Sequence, residues 1–315
     1  MKIKSRIIVF TCLFIPFIGF CQEPIVHSTD SLGKSSGSMP RESNLLFQHG
    51  YDSSVQPTPK LFFNLLLKDF KDEFTRPFHL QGKDWGNLAK YAVVGGALAF
   101  LDGPIQREAT LLVKKNPDSK KISKTITDFG GSYEVAALAA FGAGGAIFKN
   151  RKMQTVTMLS AQAYITSSVL TNVVKVLTGR TRPSYYAEDV KAKATFLGPF
   201  SKETGSNGSF PSGHTTVAFA VATVFALEYS NKPWIPILAY SSASLIGLSR
   251  IYENKHWATD VFVGALVGFL SGRTAVKNYH HLAKLKADER KKAKPVSFNL
   301  QYNNGHLMPS LTWHF

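Results

Sequence analysis

The sequence predicts an all-α fold: a bundle of about six helices carrying the candidate site, with an N-terminal amphipathic helix and a short C-terminal β-hairpin. Three observations lead there. Six apolar segments, roughly 88–102, 132–149, 153–177, 213–229, 233–250 and 257–276, are rich in Ala, Gly, Val, Leu and Ser. None of them shows the strict alternation of a half-buried strand. Small residues recur within them, among them Gly95, Gly96, Gly142, Gly144, Gly145, Gly264 and Gly268, and small residues let helix backbones approach closely.

The flanking segments differ in character. Residues 1–21 have a basic start (Lys2, Lys4, Arg6), an apolar middle from Ile7 to Phe20, and Cys21 before Gln22. This pattern predicts a secretory signal peptide, with an uncleaved anchor helix as the alternative. Bulky Phe20 argues against a lipoprotein signal at Cys21. The two cysteines are Cys12 and Cys21, so cleavage after residue 21 leaves no thiol for a disulfide or a nucleophile. Residues 22–60, rich in Ser, Gly, Pro and Asp, predict a flexible exported linker. Within 61–82, the run 61–74 sets Leu61, Phe62, Leu65, Leu66 and Phe70 at helical spacing. Such a helix suits a membrane surface or a groove on its own domain. The stretches 103–131 and 183–210 read as polar connections. Residues 277–315 carry a basic run from Lys284 to Lys294. They then alternate through Phe298, Leu300 and Tyr302, turn at Asn303-Asn304-Gly305, and end with Leu311, Trp313 and Phe315, which predicts a hairpin.

The 315 residues carry a formal net charge of +16, which favours anionic partners such as phosphate esters or anionic lipid. Zinc-finger spacings and basic helices with interleaved aromatics are missing, so nucleic acid is not an expected partner. The longest charge-free runs are Met153–Val174, 22 residues, and Pro233–Ser249, 17 residues. Others are shorter than the ~20 apolar residues a crossing needs. Mean hydropathy of −0.05 is low for a polytopic chain. The favoured arrangement leaves out the short first helix as a crossing element and puts the motifs on the exported side. The loop Lys149-Asn-Arg151-Lys152 and the basic tail then fall inside. A soluble exported bundle is the alternative.

Three polar clusters organise the chain: Lys175-Val-Leu-Thr-Gly-Arg-Thr-Arg182-Pro183, then Pro211-Ser212-Gly213-His214, then Ser249-Arg250 followed by His256-Trp-Ala-Thr-Asp260. A phosphoryl group spreads charge over three oxygens, and cations stabilise it: Arg by a bidentate fork, Lys as a point charge. Lys175, Arg182 and Arg250 supply such charge, although each alone also reads as a solvated helix end, and Arg180 is as basic as Arg182. Pro211-Ser-Gly-His214 opens a helix. There Ser212 can cap, Gly213 lets a ligand approach bare N–H groups, and His214 sits in the first turn. A capping turn with an incidental His is the plain alternative. His256 and Asp260 are spaced i, i+4 on one face, so the carboxylate can fix the imidazole tautomer and leave the other nitrogen to attack. An ordinary helix-face hydrogen bond would have the same spacing. Ser249 could donate one more hydrogen bond.

Taken together and in this order, Lys-x6-Arg-Pro, Pro-Ser-Gly-His and Ser-Arg-x5-His-x3-Asp resemble the signature of the type 2 phosphatidic acid phosphatase family. Its superfamily also holds bacterial acid phosphatases and vanadium haloperoxidases. The similarity covers roughly residues 88–276. It implies a phosphatase of membrane-lipid phosphates or diphosphates: phosphatidate, phosphatidylglycerophosphate, isoprenyl diphosphate or lipid A type. Lys175, Arg182, Arg250, Ser212 and the Gly213 backbone would bind phosphate. His256, oriented by Asp260, would form a phosphohistidine, and His214 would protonate the leaving alcohol and then activate water. No metal and no cofactor is implied. The expected location is the cell envelope, integral to the inner membrane with the site facing the periplasm. Alternatives are a soluble periplasmic acid phosphatase, a vanadium-dependent haloperoxidase, and a non-catalytic anion-binding membrane protein.

Overall fold

The computed structural model describes residues 55–186, 192–199, 208–292, 296–303 and 306–313. The expected signal and nearly all of the expected linker lie outside these residues. The described part is a helical bundle in the order α1 (Pro59–Thr75), α2 (Gly82–Lys115), α3 (Ser119–Asp128), α4 (Ser132–Ile147), α5 (Arg151–Thr178), α6 (Gly213–Glu228), α7 (Trp234–Tyr252) and α8 (Ala258–Lys292). Beyond it β1 (Val296–Asn303) and β2 (His306–Trp313) pair antiparallel, with Phe298 opposite Leu311. Two of the residues expected to turn that hairpin, 304 and 305, lie outside the described set.

Helix α6 is the centre of the bundle. It is apolar on nearly every side and buries Val217, Phe219 and Val224 among α5, α7 and α8, as a helix without a polar face must. Its approach to α8 is set by three glycines one turn apart. A Cβ at Gly264, Gly268 or Gly272 would collide with the Ser212, Thr216 or Ala220 carbonyl of α6. The same logic holds between α4 and α5, where a Cβ at Gly142 would meet Thr157 and one at Gly145 would meet Met153. It does not hold for Gly95 and Gly96. The first would have an ordinary contact and the second none, so the expectation of close approach there is corrected.

Helix α2 corrects a second expectation. It runs for 34 residues rather than for 88–102, and Pro104 lies inside it. Asp102, Ile105 and Ala109 are buried on either side of that proline, and tertiary packing overrides its local preference. Asp102 meets Thr259 at the start of α8, while Gly95 lies near Phe262, so the two helices run antiparallel. The region 103–131, expected as a polar connection, also contains α3. The pattern missed this helix because its buried face is Ser123 and Thr127, hydroxyls bonded to α7 and its C-terminal turn rather than apolar side chains. The last apolar segment and the first part of the basic run are one 35-residue helix, α8.

Helix α1 packs on α5 and α8. Its inward stripe begins with Leu61 and Leu65 and continues with Asp69 and Glu73, while Phe63 and Leu67 face outward. Asp69 accepts from Asn278 at 2.7 Å and Glu73 from Thr166 at 3.0 Å. Burial raises both carboxyls to about 7, against these hydrogen bonds, which lower them. A raised carboxyl favours docking in its neutral form, so the contribution is complete below the ordinary carboxyl range and is lost as pH rises through about 7. Amide exchange should therefore show α1 less protected at pH 8 than at pH 5, and Asp69→Asn with Glu73→Gln should flatten that dependence. Separately, Gly268→Ala should destabilise the bundle by roughly 1–3 kcal/mol, the usual cost of overpacking, read as a lower unfolding midpoint.

Candidate active site

The up-and-down course of α5 to α8 brings the end of α5, the start of α6, the end of α7 and the start of α8 to one end of the bundle. Ser209 fastens these ends together. Its N–H donates to the Arg180 carbonyl at 2.7 Å, its hydroxyl donates to Asp260, and its carbonyl accepts from Nδ1 of His256 at 2.7 Å. The Ser212 N–H donates to the Asp260 carbonyl at 3.0 Å. The second and third motifs are thus tied by backbone as well as by side chains.

His256 is buried, with 3% of its surface exposed. A carbonyl can only accept, so Nδ1 must carry the proton and Nε2 must hold the lone pair. Asp260 Oδ2 lies farther from Nδ1, at 3.5 Å. The sequence reading gave Asp260 the task of fixing this tautomer. In the structure the Ser209 carbonyl is the nearer partner, and Asp260 adds its charge from behind. Burial first, then the charges of Lys175 and Arg182, lower the His256 imidazole to about 4 against the pull of Asp260, so it is neutral at ordinary pH.

Asp260 is fully buried and is held by the Trp257 N–H at 2.9 Å, the Ser209 hydroxyl and Arg180. Arg180 is itself buried: the nitrogen that meets Asp260, Nη1, also donates to Thr259 Oγ1 at 2.6 Å, and on the other side Nη2 donates to Asp102 at 2.7 Å. Asp102 also accepts from the Thr259 N–H at 3.0 Å. The rings of Phe196, Phe210 and Trp257 surround the guanidinium at 5.0–5.8 Å. This separates two arginines that spacing could not tell apart: Arg180 belongs to the internal ion network, whereas Arg182 stands half-buried beside the histidines.

Lys175, Arg182, Arg250 and His214 form the rest of the site. Lys175 lies within electrostatic reach of Arg182, Arg250 and Asp260, and both imidazoles feel the charges of Lys175 and Arg182. The Lys175 ammonium would lie 3.6 Å from a Cβ at Gly213, so glycine leaves open the space between this cation and the N-terminus of α6. Arg250 is buried, bonded to Glu253 at 3.0 Å and to Thr127 at 3.4 Å, with its Nε unpartnered among the described residues. His214 lines a cavity of about 860 Å³ together with Arg250. A smaller cavity of about 150 Å³, between α5 and the turn at Gly130-Gly131, also touches it.

Two expectations are corrected here. Ser212 occupies the N-cap position of α6 without capping it. Its hydroxyl accepts from Thr215 at 2.8 Å and keeps its own proton to give. Ser249 does not point at the site: its hydroxyl bonds the Ile246 carbonyl and Thr127, both at 2.7 Å. Sequence reasoning missed Asp102, Thr127, Ser209 and Glu253. Asp102 had a signal, because a lone carboxylate directly after the apolar run Ala97–Leu101 demands a partner if it is buried. Ser209 had none, since its carbonyl does part of the work.

Residues 156–283 match the sequence profile of the PAP2 superfamily. Helices α1 to α4, and Asp102 with them, lie outside the matched stretch. A lipid A 1-phosphatase of Porphyromonas gingivalis is 57% identical over 65 residues, covering 20% of this chain and 15% of that protein. Lipid phosphate phosphatase 1 of Arabidopsis thaliana is 30% identical over 139 residues, 38% of this chain and 42% of that protein. Phosphatidylglycerophosphatase B of Bacillus subtilis is 28% identical over 187 residues, 57% of this chain and 83% of that protein. The chain thus spans less than half the length of the first two.

Removing one partner of a buried ion pair typically costs about 3–5 kcal/mol, and Asp102→Ala should lower stability by that order. If the site is catalytic, Asp102→Asn, which preserves shape, should reduce kcat more than it changes KM, because among the described residues Asp102 reaches the site through Arg180 and Thr259. Steady-state kinetics alongside thermal unfolding would check both.

Proposed function

We propose, for a chain whose stretch 156–283 is a PAP2 superfamily member, a phosphatase that hydrolyses phosphate monoesters or diphosphates of membrane lipids through a phosphohistidine on His256. The observation that carries this reading is a neutral imidazole, locked through Nδ1 on the Ser209 carbonyl, beside cations that suit a phosphoryl group. Lys175, Arg182 and Arg250 receive the phosphoryl oxygens with the Ser212 hydroxyl and the first N–H groups of α6. The Nε2 lone pair of His256 attacks phosphorus. The bond from phosphorus to the lipid oxygen breaks, and His214 gives that oxygen a proton. His214 then takes a proton from water, whose oxygen attacks phosphorus. The phosphorus–nitrogen bond breaks, and phosphate leaves with His256 restored. Asp260 stabilises the positive charge that His256 gains while phosphorylated.

Phosphatidate, phosphatidylglycerophosphate, isoprenyl diphosphate and lipid A type phosphates are the proposed substrate classes. The relatives whose names refer to lipid A and to phosphatidylglycerophosphate support a lipid over a soluble ester. A membrane setting is supported by α2, whose most apolar 18-residue window has a mean hydropathy of 1.3 and is only 11% buried, unlike a core helix. Phe100, Ile147 and Ile237 likewise point outward. The site would face the periplasm, with the Lys149–Lys152 loop and the Lys284–Lys292 tail at the opposite, cytoplasmic end.

His256→Ala should abolish phosphate release while the unfolding transition survives; near-normal turnover by that variant would end the phosphohistidine reading. In a panel of detergent-presented lipid phosphates against a soluble chromogenic ester, the lipids should be preferred, and equal rates would favour a broad acid phosphatase. The protein should stay in the membrane pellet after a carbonate wash.

A further inference from the structure

We infer that the small cavity beside His214 holds the water that hydrolyses the phosphoenzyme, and that Thr171 is the side chain that keeps it there. The inference rests on the phosphatase reading and adds to it a water site apart from the lipid side. His214 is shared by two cavities. The large one, of about 860 Å³, also reaches Arg250 and has room for a substrate. The small one, of about 150 Å³, is bounded by α5, Gly213 and the turn at Gly130-Gly131. That volume is well under the ~300–1,000 Å³ of pockets for organic ligands. At ~30 Å³ of liquid per molecule, it has room for a few waters.

One face of α5 supplies much of the wall. Tyr164, Ser168 and Thr171 recur at helical spacing and lead to Lys175 one turn on, so the cavity and that cation share a face. Thr171 is 2% exposed, and its Oγ1 has no hydrogen-bond partner among the described residues. A buried hydroxyl without a partner is costly, and buried water satisfies it where other polar groups converge. Ser168, Asn172 and His214 are those groups here. The Thr171 methyl would lie 3.9 Å from a Cβ at Gly213, which sets this side chain against the N-terminus of α6. A Cβ at Gly131 would lie 3.5 Å from Nε2 of His214, so glycine keeps that nitrogen reachable from the turn. The chemistry needs water at this place. Attack on the phosphohistidine is in line, so water must take the position that the lipid oxygen has left, next to His214. The water gives a proton to the His214 imidazole, its oxygen bonds phosphorus, and the electron pair of the phosphorus–nitrogen bond returns to His256. Water and lipid alcohol thus use different cavities to reach one histidine.

The test uses the full-length protein in detergent, phosphatidate, and rapid mixing with an alkaline quench, which preserves phosphohistidine. Formation of the phosphoenzyme and its decay after a chase are timed separately. In Thr171→Val, which keeps the shape and removes the hydroxyl, decay should slow about tenfold more than formation, the worth of one hydrogen bond. Thr171→Ser, which keeps the hydroxyl, should recover most of that loss. Equal slowing of both steps would mean a structural role and overturn the inference. So would unchanged decay, or a serine variant as slow as the valine one. If phosphate is released without a phosphoenzyme, the phosphohistidine reading fails; if none is released, the phosphatase reading fails on this lipid. In either case an experimental density map of the full-length protein decides the inference. Ordered water within hydrogen-bond distance of Thr171 Oγ1, in the cavity that His214 lines, would support it. An acyl chain or detergent molecule there, or no ordered water on Thr171, would reject it.

Discussion

The structure depends on one buried guanidinium. Arg180 sits between Asp102 and Asp260, and the three charges are shielded from water by aromatic rings and by the start of α8. Buried ions are costly unless every oxygen and nitrogen finds a partner, and a buried pair is a poor source of stability compared with apolar packing. Here the partners are mostly supplied: the Thr259 N–H and hydroxyl, the Trp257 N–H and the Ser209 hydroxyl. What the arrangement contributes is position. It connects α2, the chain after α5, the chain before α6 and the first turn of α8. Two carboxylates against one guanidinium also leave a net negative charge behind His256, which offsets part of the repulsion among Lys175, Arg182 and Arg250.

Steric constraint completes what charge begins. The glycines at 264, 268 and 272 allow α6 to lie against α8 at backbone distance. That contact carries the Pro-Ser-Gly-His turn to the level of Asp260, so that the Ser212 N–H reaches the Asp260 carbonyl. Small residues in the middle of two helices thus decide where the N–H groups at the end of one of them point. The site is assembled by packing some distance from its own reactive atoms.

Much of this was readable in the chain. The helix-rich middle follows from apolar runs without alternation, and the three clusters follow from residue types whose chemistry converges on a phosphoryl group. What could not be read has physical reasons. Arg180 and Arg182 carry the same charge two residues apart, and only burial distinguishes them. Helix α3 has no apolar stripe, because its inward face is satisfied by hydroxyl hydrogen bonds. The orientation of His256 depends on a backbone carbonyl, which every residue possesses, so Ser209 left no mark of that role in the sequence. Asp69 and Glu73 sit where periodicity would place leucines, and their partners Asn278 and Thr166 are far away along the chain.

The length of α2 has a consequence for compartments. Counted with α4 to α8 it makes six traverses of the bundle, and an even number returns the polypeptide to the end from which it started. Residue 82 and the end of α8 then share one side, and the pocket opens on the other. Under the proposed membrane reading, a periplasmic pocket would put residue 82 at the cytoplasmic end. One helix therefore couples the end of the bundle at which residue 82 lies to the end at which the pocket opens.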